Sequence, residues 1–376
     1  MTPEERSDLL RRWGLEAGFD RAGVAKLGPS EHDGALQRWL ERGFQAGMSY
    51  MEREPERRAD PRRSLEGARS ALCVALDYAP EPSGQAEGDL WRGVARYARG
   101  RDYHDVMGER LRLLCARIEQ FFPGTTTRPY VDTGPVLERE LAARAGLGAI
   151  GKNTNLLHPE AGSYFLLGEI LLTLDLEPDT PIADLCGSCR ACLDACPTDA
   201  FAQPWVLDSR RCISYWTIEH RGDLPEAVRP ELGEWVFGCD ICQEACPVNI
   251  DGATATDPAL ALPADRSGLG LDDVTVMSRE EYVERFRASP MKRAKLDGLG
   301  RNAAVALANR GRQEDVGHLR EALHHGEAMV KRHAAWGLGA VGGKDAEAAL
   351  LEGLERDPDA GHRDEMASAL SQLKPA

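Results

Sequence analysis

Apolar residues in the first 180 positions of the chain follow two kinds of spacing. Thr2-Pro3-Glu4-Glu5 reads as a helix start, with a threonine N-cap, proline at the first helical position and a glutamate placed to complete a capping box. Leu9, Leu10, Trp13 and Leu15 then give a helix-like apolar face. Three later runs read as strands. SALCVALDY (70–78) is short, apolar and flanked by breakers; TTTRPYVD (125–132) is rich in β-branched residues and stops at a Gly134-Pro135 turn; SYFLLGEILLTL (163–174) follows a turn at residues 158–162. Between the last two, VLERELAARAG (136–146) predicts a helix ending at a glycine. Helices mixed with strands predict an α/β domain over residues 1–180. GATATDPALALPADRSGLG (252–270) reads as an irregular connection, and from residue 278 the pattern is helical. There RNAAVALANRG (301–311) and RHAAWGLGAVG (332–342) share Arg, Ala-Ala, Leu and Gly in one register, 31 residues apart.

That period, with its small-residue helices, resembles HEAT-like repeats, and RDEMASAL from Arg363 is a weaker third copy. So few repeats are expected to pack on a preceding domain. The 376 residues suffice for two or three domains, and the organisation expected is 1–180, 181–255 and 278–376 in an α+β chain. A formal charge of −15 excludes a surface that is basic throughout. No apolar run reaches bilayer-spanning length, and MTPEERSDLLRRWG has neither an apolar signal core nor a twin-arginine signal, so a cytoplasmic protein without membrane contact is expected.

Eight of the ten cysteines fall between Cys186 and Cys246. The first motif is Cys186-x2-Cys189-x2-Cys192-x3-Cys196-Pro197, and the second is Cys239-x2-Cys242-x3-Cys246-Pro247, with Cys212 upstream. Eight thiolates are what two [4Fe–4S] clusters need, and in ferredoxin-like segments the fourth cysteine of one motif ligates the other cluster. One cluster would take Cys186, Cys189, Cys192 and Cys246; the other would take Cys196, Cys212, Cys239 and Cys242. Paired zinc sites also use four thiolates, but the C-x2-C-x2-C-x3-C-P run is unusual for zinc. Disulfides are disfavoured in a reducing compartment. Cys73 and Cys115 sit in apolar runs and read as small buried hydrophobes.

Two clusters form a wire, and the preceding domain must hold something reducible. Asp132 to Pro135 (DTGP) followed by VLERELAARAGLG, GKN at 151–153, GSYFLLGEI at 162–170, the eight cysteines and the terminal repeats together resemble the epoxyqueuosine reductase family over nearly the full length. The resemblance implies a cobalamin-dependent, two-cluster enzyme that removes the epoxide oxygen of epoxyqueuosine in tRNA, with cofactor modules similar to those of reductive dehalogenases. A dehalogenase acting on a small organohalide uses the same cofactors, and a ferredoxin-like electron carrier without catalysis is the reading from another class. The first is disfavoured by the missing export signal, the second by an otherwise unexplained first domain.

Loss of an epoxide oxygen as water consumes two electrons and two protons, so an acid is required. Asp132, at a strand end before a Gly-Pro turn, is where a carboxyl can project into a pocket with a raised pKa, and the resemblance places the family's proton donor there. The same resemblance puts cobalamin contacts at Arg57, Asp132, Asn153, Leu156, Leu167, Ser214 and Asp240; the leucines would be apolar core and Arg57 a surface charge without it. Asp102-Tyr103-His104 with Gly108 misses the D-x-H-x-x-G pattern by one residue, so His104 is expected to face solvent or substrate rather than to ligate cobalt. Tyr97 and Tyr103 would line the substrate side or simply pack.

Lys292, Arg293, Lys295, Arg301, Arg310 and Arg312 stand against a single acid, Asp297, in residues 291–312, and Lys331 and Arg332 recur one repeat later. A local basic strip is the footprint of phosphate contact, and a solvated helix face is the alternative. On the family reading these repeats hold the anticodon arm while the base enters the pocket flipped out of its stack. A flavodoxin or ferredoxin would supply electrons to a monomer.

Overall fold

The computed structural model describes residues 1–78, 88–250 and 257–373. The chain divides into two compact units. The first comprises Met1–Glu81, Gly100–Arg210 and Asp240–Ala261, the second Pro82–Arg99, Arg211–Cys239 and Leu262–Ala376.

In the first unit α1 (Pro3–Glu16) starts at the expected capping box, Glu5 N–H donating to Thr2 Oγ1 and Thr2 N–H to Glu5 Oε2. Leu10 and Trp13 are buried, but Leu15 is half exposed, because Gly14 rather than Leu15 continues that face. The sheet is built from β1 (Arg21–Lys26), β2 (Ser70–Asp77), β3 (Thr127–Tyr130) and β4 (Phe165–Leu172). Its order is β1-β2-β4-β3, with every neighbour antiparallel. β3 is shorter than the TTTRPYVD run because Val131 and Asp132 leave for a turn. As an edge strand it tolerates Pro129, which has no N–H to give a further neighbour. The long helix α2 (Tyr103–Phe121) sends Met107 and Leu111 toward one face of the sheet at Gly168. The short helix α3 (Glu138–Arg144) packs on the other face, with Leu141, Ala142 and Ala145 in one core with Cys73, Ala75 and Leu171. Gly23 makes that approach possible, since a Cβ there would lie 2.1 Å from the Ala145 carbonyl oxygen.

The second unit contains α4 (Leu271–Val276), α5 (Arg279–Phe286), α6 (Lys295–Arg310), α7 (Val316–His325), α8 (Ala328–Val341), α9 (Lys344–Arg356) and α10 (Ala360–Ser371). The two aligned repeats are α6 and α8, and the third copy is α10. Their shared Ala303-Ala304 and Ala334-Ala335 pairs are fully buried, and small side chains let these backbones come close. Gly311 (φ 68°) and Gly342 (φ 74°) end the helices in the left-handed region where glycine is favoured. Residues 252–256 of the expected irregular connection lie outside the described residues; Pro258–Leu260 within it forms a single 3₁₀ turn.

His333 sits fully buried in α8, with Nδ1 bonded to the Met329 carbonyl (2.8 Å) and Nε2 accepting from Leu224 N–H (3.0 Å). Burial, reinforced by the charges of Arg229 and Arg301, lowers its pKa from 6.5 to about 3, against the Met329 hydrogen bond. The unfolded chain therefore takes up this proton near pH 6.5 while the folded chain resists it. Stability from this site is complete above that value and is lost as pH falls toward 3, by about 1.4 kcal/mol per pH unit. Urea midpoints should drop over this window, and His333→Gln, which keeps an acceptor but cannot titrate, should flatten the decline.

Candidate functional site

Asp132 follows β3 with φ of 56°, a left-handed conformation uncommon outside glycine. Thr133 N–H bonds back to the Val131 carbonyl and closes a three-residue turn around it. Glycine is required at position 134, where a Cβ would lie 2.3 Å from the Tyr130 ring. The DTGP sequence thus folds onto its own strand and lifts Asp132 out, leaving its side chain 54% exposed.

The start of α2 supplies its partners. Asp102 caps the helix, accepting from His104 N–H, and its Oδ1 lies 2.8 Å from His104 Nδ1. The other ring nitrogen, Nε2, is 3.3 Å from Asp132 Oδ2, and the Tyr103 hydroxyl donates to that same oxygen at 2.9 Å. Burial opposes a charge on His104, yet the hydrogen bond to Asp102 and the nearby Asp132 carboxylate prevail and raise its pKa to about 9. Burial alone would raise Asp132, but His104 and then Tyr103 hold it below 3.8. This corrects the raised pKa expected of Asp132: at neutral pH the pair is an imidazolium and a carboxylate, with the transferable proton on His104. Two carboxyls near Asp132 that sequence reasoning passed over, Glu138 and Glu169, are raised instead.

A second loop connects this site to the cysteines. Arg139, which opens α3 with Glu138, donates to the Thr154 carbonyl at 2.5 Å. In the same GKNTN loop, Lys152 N–H points at Cys186 Sγ (3.4 Å), and Lys152 Nζ bonds to the carbonyls of Gly187 and Cys189. Asn153 donates to the Cys242 carbonyl at 3.2 Å. One loop therefore touches both cysteine motifs. The role of Lys152 was also missed, although it stands inside the GKN motif. Gln243 anchors the second motif further through Ser163.

Cys192 and Cys246 are buried, and after burial the neighbouring thiols raise them: Cys246 and Cys186 act on Cys192, Cys186 and Cys189 on Cys246. The quartet expected for one cluster thus shares one environment. Its chemistry fits an iron–sulfur group, because thiolates crowded in this way repel one another until a metal centre is bound. Among the described residues no three metal-ligating side chains converge on a single-ion position. A lone zinc needs all its sulfurs about 2.3 Å from one point. Of the other four, Cys196 and Cys242 belong to the first unit, Cys212 and Cys239 to the second. Cys73 and Cys115 are buried in the sheet and in α2, as expected.

The expected cobalamin contacts are distributed as follows. Asn153 and Leu156 are buried in or beside the GKN loop, and Leu167 packs on the core of the first unit. Asp240 is buried at the start of the helix carrying Cys242. Arg57 is ion-paired with Glu54. Ser214 lies in the second unit, as does Tyr97, whose ring packs on Phe237. Asp132 and the GKN loop fit a group held between an acid and an electron source, since Arg139 ties the loop to the acid side while Lys152 and Asn153 reach the cysteines.

Two members of the basic strip are misplaced by the sequence reading. Arg301 is 1% exposed, its guanidinium bonded to the carbonyls of Trp216 and Gly222 and to Asn302 Oδ1. Arg310 is held between Asp89 and Asp315, its side chain 8% exposed. Neither can meet a phosphate. Arg293, Arg312, Lys331 and Arg332 pair with Glu219, Glu314, Asp357 and Asp223, while Lys292 and Lys295 are exposed.

An antiparallel α+β unit with an Asp-His-Tyr acid site, tied by one loop to two cysteine motifs, defines an iron–sulfur oxidoreductase. Comparison with known proteins makes this specific. The family model "Epoxyqueuosine reductase QueG, DUF1730" matches residues 58–133, "4Fe-4S double cluster binding domain" residues 185–249 and "HEAT repeats" residues 298–372. Epoxyqueuosine reductase of Xanthomonas campestris is 39% identical over 341 residues, 89% of this chain and 96% of its own. That of Synechococcus is 42% identical over 306 residues, covering 80% and 94%. An epoxyqueuosine reductase crystallised with an epoxyqueuosine-modified tRNA-Tyr stem loop superposes with a TM-score of 0.90 at 30% identity, over 99% of this chain and 100% of that one. The Bacillus subtilis structure with its catalytic aspartate loop swung out of the active site gives 0.88 at 30% identity and the same coverage. The chain belongs to the epoxyqueuosine reductase family, oxidoreductases of tRNA modification, and carries a double [4Fe–4S] cluster domain.

Proposed function

We propose that this protein reduces epoxyqueuosine to queuosine in tRNA, with Asp132 delivering a proton to the departing epoxide oxygen. The observation that carries the reading is the Asp102–His104–Asp132 chain in the same unit as the loop that touches both cysteine motifs. Residues around the GKN loop and Asp240 would hold cobalamin, which when bound would supply low-valent cobalt as the reductant. The protein's own residues handle the proton. His104 stores it at Nε2, Asp102 fixes the ring through Nδ1, and Asp132 Oδ2 receives it and presents it to the oxygen. Tyr103 holds the same carboxylate oxygen in place. Cys196, Cys212, Cys239 and Cys242 hold the second cluster. The exposed basic residues of the repeats, without Arg301 and Arg310, contact tRNA phosphates. A flavodoxin or ferredoxin delivers the electrons to a cytoplasmic monomer. Among the described residues no helix is long and apolar enough to cross a membrane.

The test is mass spectrometry of tRNA nucleosides from the source organism with and without the gene. Epoxyqueuosine should accumulate at the expense of queuosine on deletion and be cleared when the gene is restored. Unchanged queuosine in the deletion strain would sink the reading.

A further inference from the structure

Among the described residues Lys152 is the one lysine that is buried, at 8% exposure. Its Nζ donates to the carbonyls of Gly187 (2.6 Å) and Cys189 (2.8 Å), and it lies over the Trp205 ring, 5.7 Å from the ring centre. That indole is fastened to the same loop. Trp205 N–H donates to the Lys152 carbonyl at 3.0 Å and its Nε1–H to the Ile150 carbonyl at 3.1 Å.

Among the described residues no carboxylate pairs with the Lys152 ammonium; the atoms that accept from it are neutral carbonyls. A cation taken out of water is costly, and buried charges in proteins are paired or face a metal centre. The surroundings point to the second case. Both carbonyls belong to the Cys186-Gly187-Ser188-Cys189 turn, and the Lys152 backbone N–H is directed at the Cys186 sulfur at 3.4 Å. A [4Fe–4S] core bound by four thiolates is an anion and gains one further negative charge on reduction, and net charge and hydrogen bonds to sulfur set its potential.

We propose that Lys152 is the counter-ion of the cluster held by Cys186, Cys189, Cys192 and Cys246 and raises its reduction potential, an inference that rests on the reading of those four thiolates as one ligand set. Attraction to the ammonium grows as the cluster takes up an electron, so the reduced form is stabilised more than the oxidised one. Enclosure beside Trp205 limits screening of that attraction by salt. The backbone N–H at Cys186 Sγ acts in the same direction. Cys189 is exposed, so easier reduction falls on the cluster with a ligand at the surface, where a one-electron donor meets it. Lys152 takes no part in bond making; it acts through the cluster.

Redox titration of the reconstituted full-length protein, followed by electron paramagnetic resonance, tests this without turnover. In Lys152→Met one of the two one-electron steps should shift and the other should stay. The ratio of reduced to oxidised cluster at a fixed potential should fall about tenfold in the shifted step, which is about 59 mV toward lower potential for one electron. Lys152→Gln, which can still donate to a carbonyl, should give the same shift and serves if the methionine variant loads iron poorly. Arg190→Gln provides the contrast. Arg190 follows Cys189 in the chain, but its side chain is 62% exposed and paired with Asp194, so both steps should stay within about twofold. Unshifted potentials in iron-replete Lys152 variants, or an equal shift in Arg190→Gln, would overturn the counter-ion role. Loss of the cluster from both Lys152 variants would overturn it too, leaving the lysine a structural clamp. A Cys189→Ala protein that keeps both [4Fe–4S] signals would instead defeat the ligand assignment.

Discussion

Asp132→Asn should retain both clusters and the fold while losing reduction of epoxyqueuosine by about 10²- to 10⁴-fold, the range typical of a missing proton donor. The substitution preserves shape and keeps an oxygen to accept the Tyr103 hydroxyl, so the turn held by Gly134 has no reason to rearrange. What it removes is the ability to carry a proton and the negative charge facing His104. The histidine should respond in a direction that identifies the mechanism. The hydrogen bond to Asp102 and the Asp132 carboxylate set its pKa at about 9, and without the second carboxylate it should return part of the way to 6.5, as NMR titration would show. The linkage has a definite sign. A raised histidine stabilises the fold fully below about pH 6.5, and that contribution fades as pH climbs through 9, so wild type and variant should converge in stability at alkaline pH. A variant with full activity would remove Asp132 from the chemistry.

Arg301→Ala should cost about 3–5 kcal/mol of unfolding free energy in the second unit, as expected when buried polar groups lose a charged partner. The guanidinium, lowered to about 10 by burial, is held by the carbonyls of Trp216 and Gly222 and by Asn302. Asn302 in turn donates to the carbonyls of Thr217 and Val236. Together they fasten the segment between Cys212 and Cys239 onto α6, and truncation leaves several carbonyls unpaired beside a cavity. Thermal melts should show the loss, and iron per chain should fall with it, because both cysteines belong to that segment. Arg332→Ala provides the contrast. Its partner Asp223 is about half exposed, and such a pair contributes at most about 1 kcal/mol.

The two arginines also show where sequence reading stops. Both lie in corresponding positions of aligned repeats and look like one basic stripe. Burial of Arg301 is decided by backbone carbonyls some eighty residues earlier, which no periodicity reveals. The cysteine motifs were legible because ligand spacing along the chain is itself the chemical constraint, and the strands at 70–77 and 165–172 because apolar runs between breakers have few alternatives. Asp132 was found through its DTGP turn, but its ionisation depended on Tyr103 and His104, brought near by the start of α2. Glu169 left a visible sign, an acid within FLLGEILL, yet only the sheet register shows that it is enclosed rather than facing outward.

The order of the cysteines along the chain affects how the protein is made. Residues 211–239, with Cys212 and Cys239, fold with the unit that also contains residues 262–376. A ribosome synthesises those helices last. A nascent chain that has already exposed all eight thiols still lacks the helix that clamps the segment carrying two of them. Iron delivered before residues 295–310 are made would meet Cys212 and Cys239 on a segment that α6 has not yet clamped.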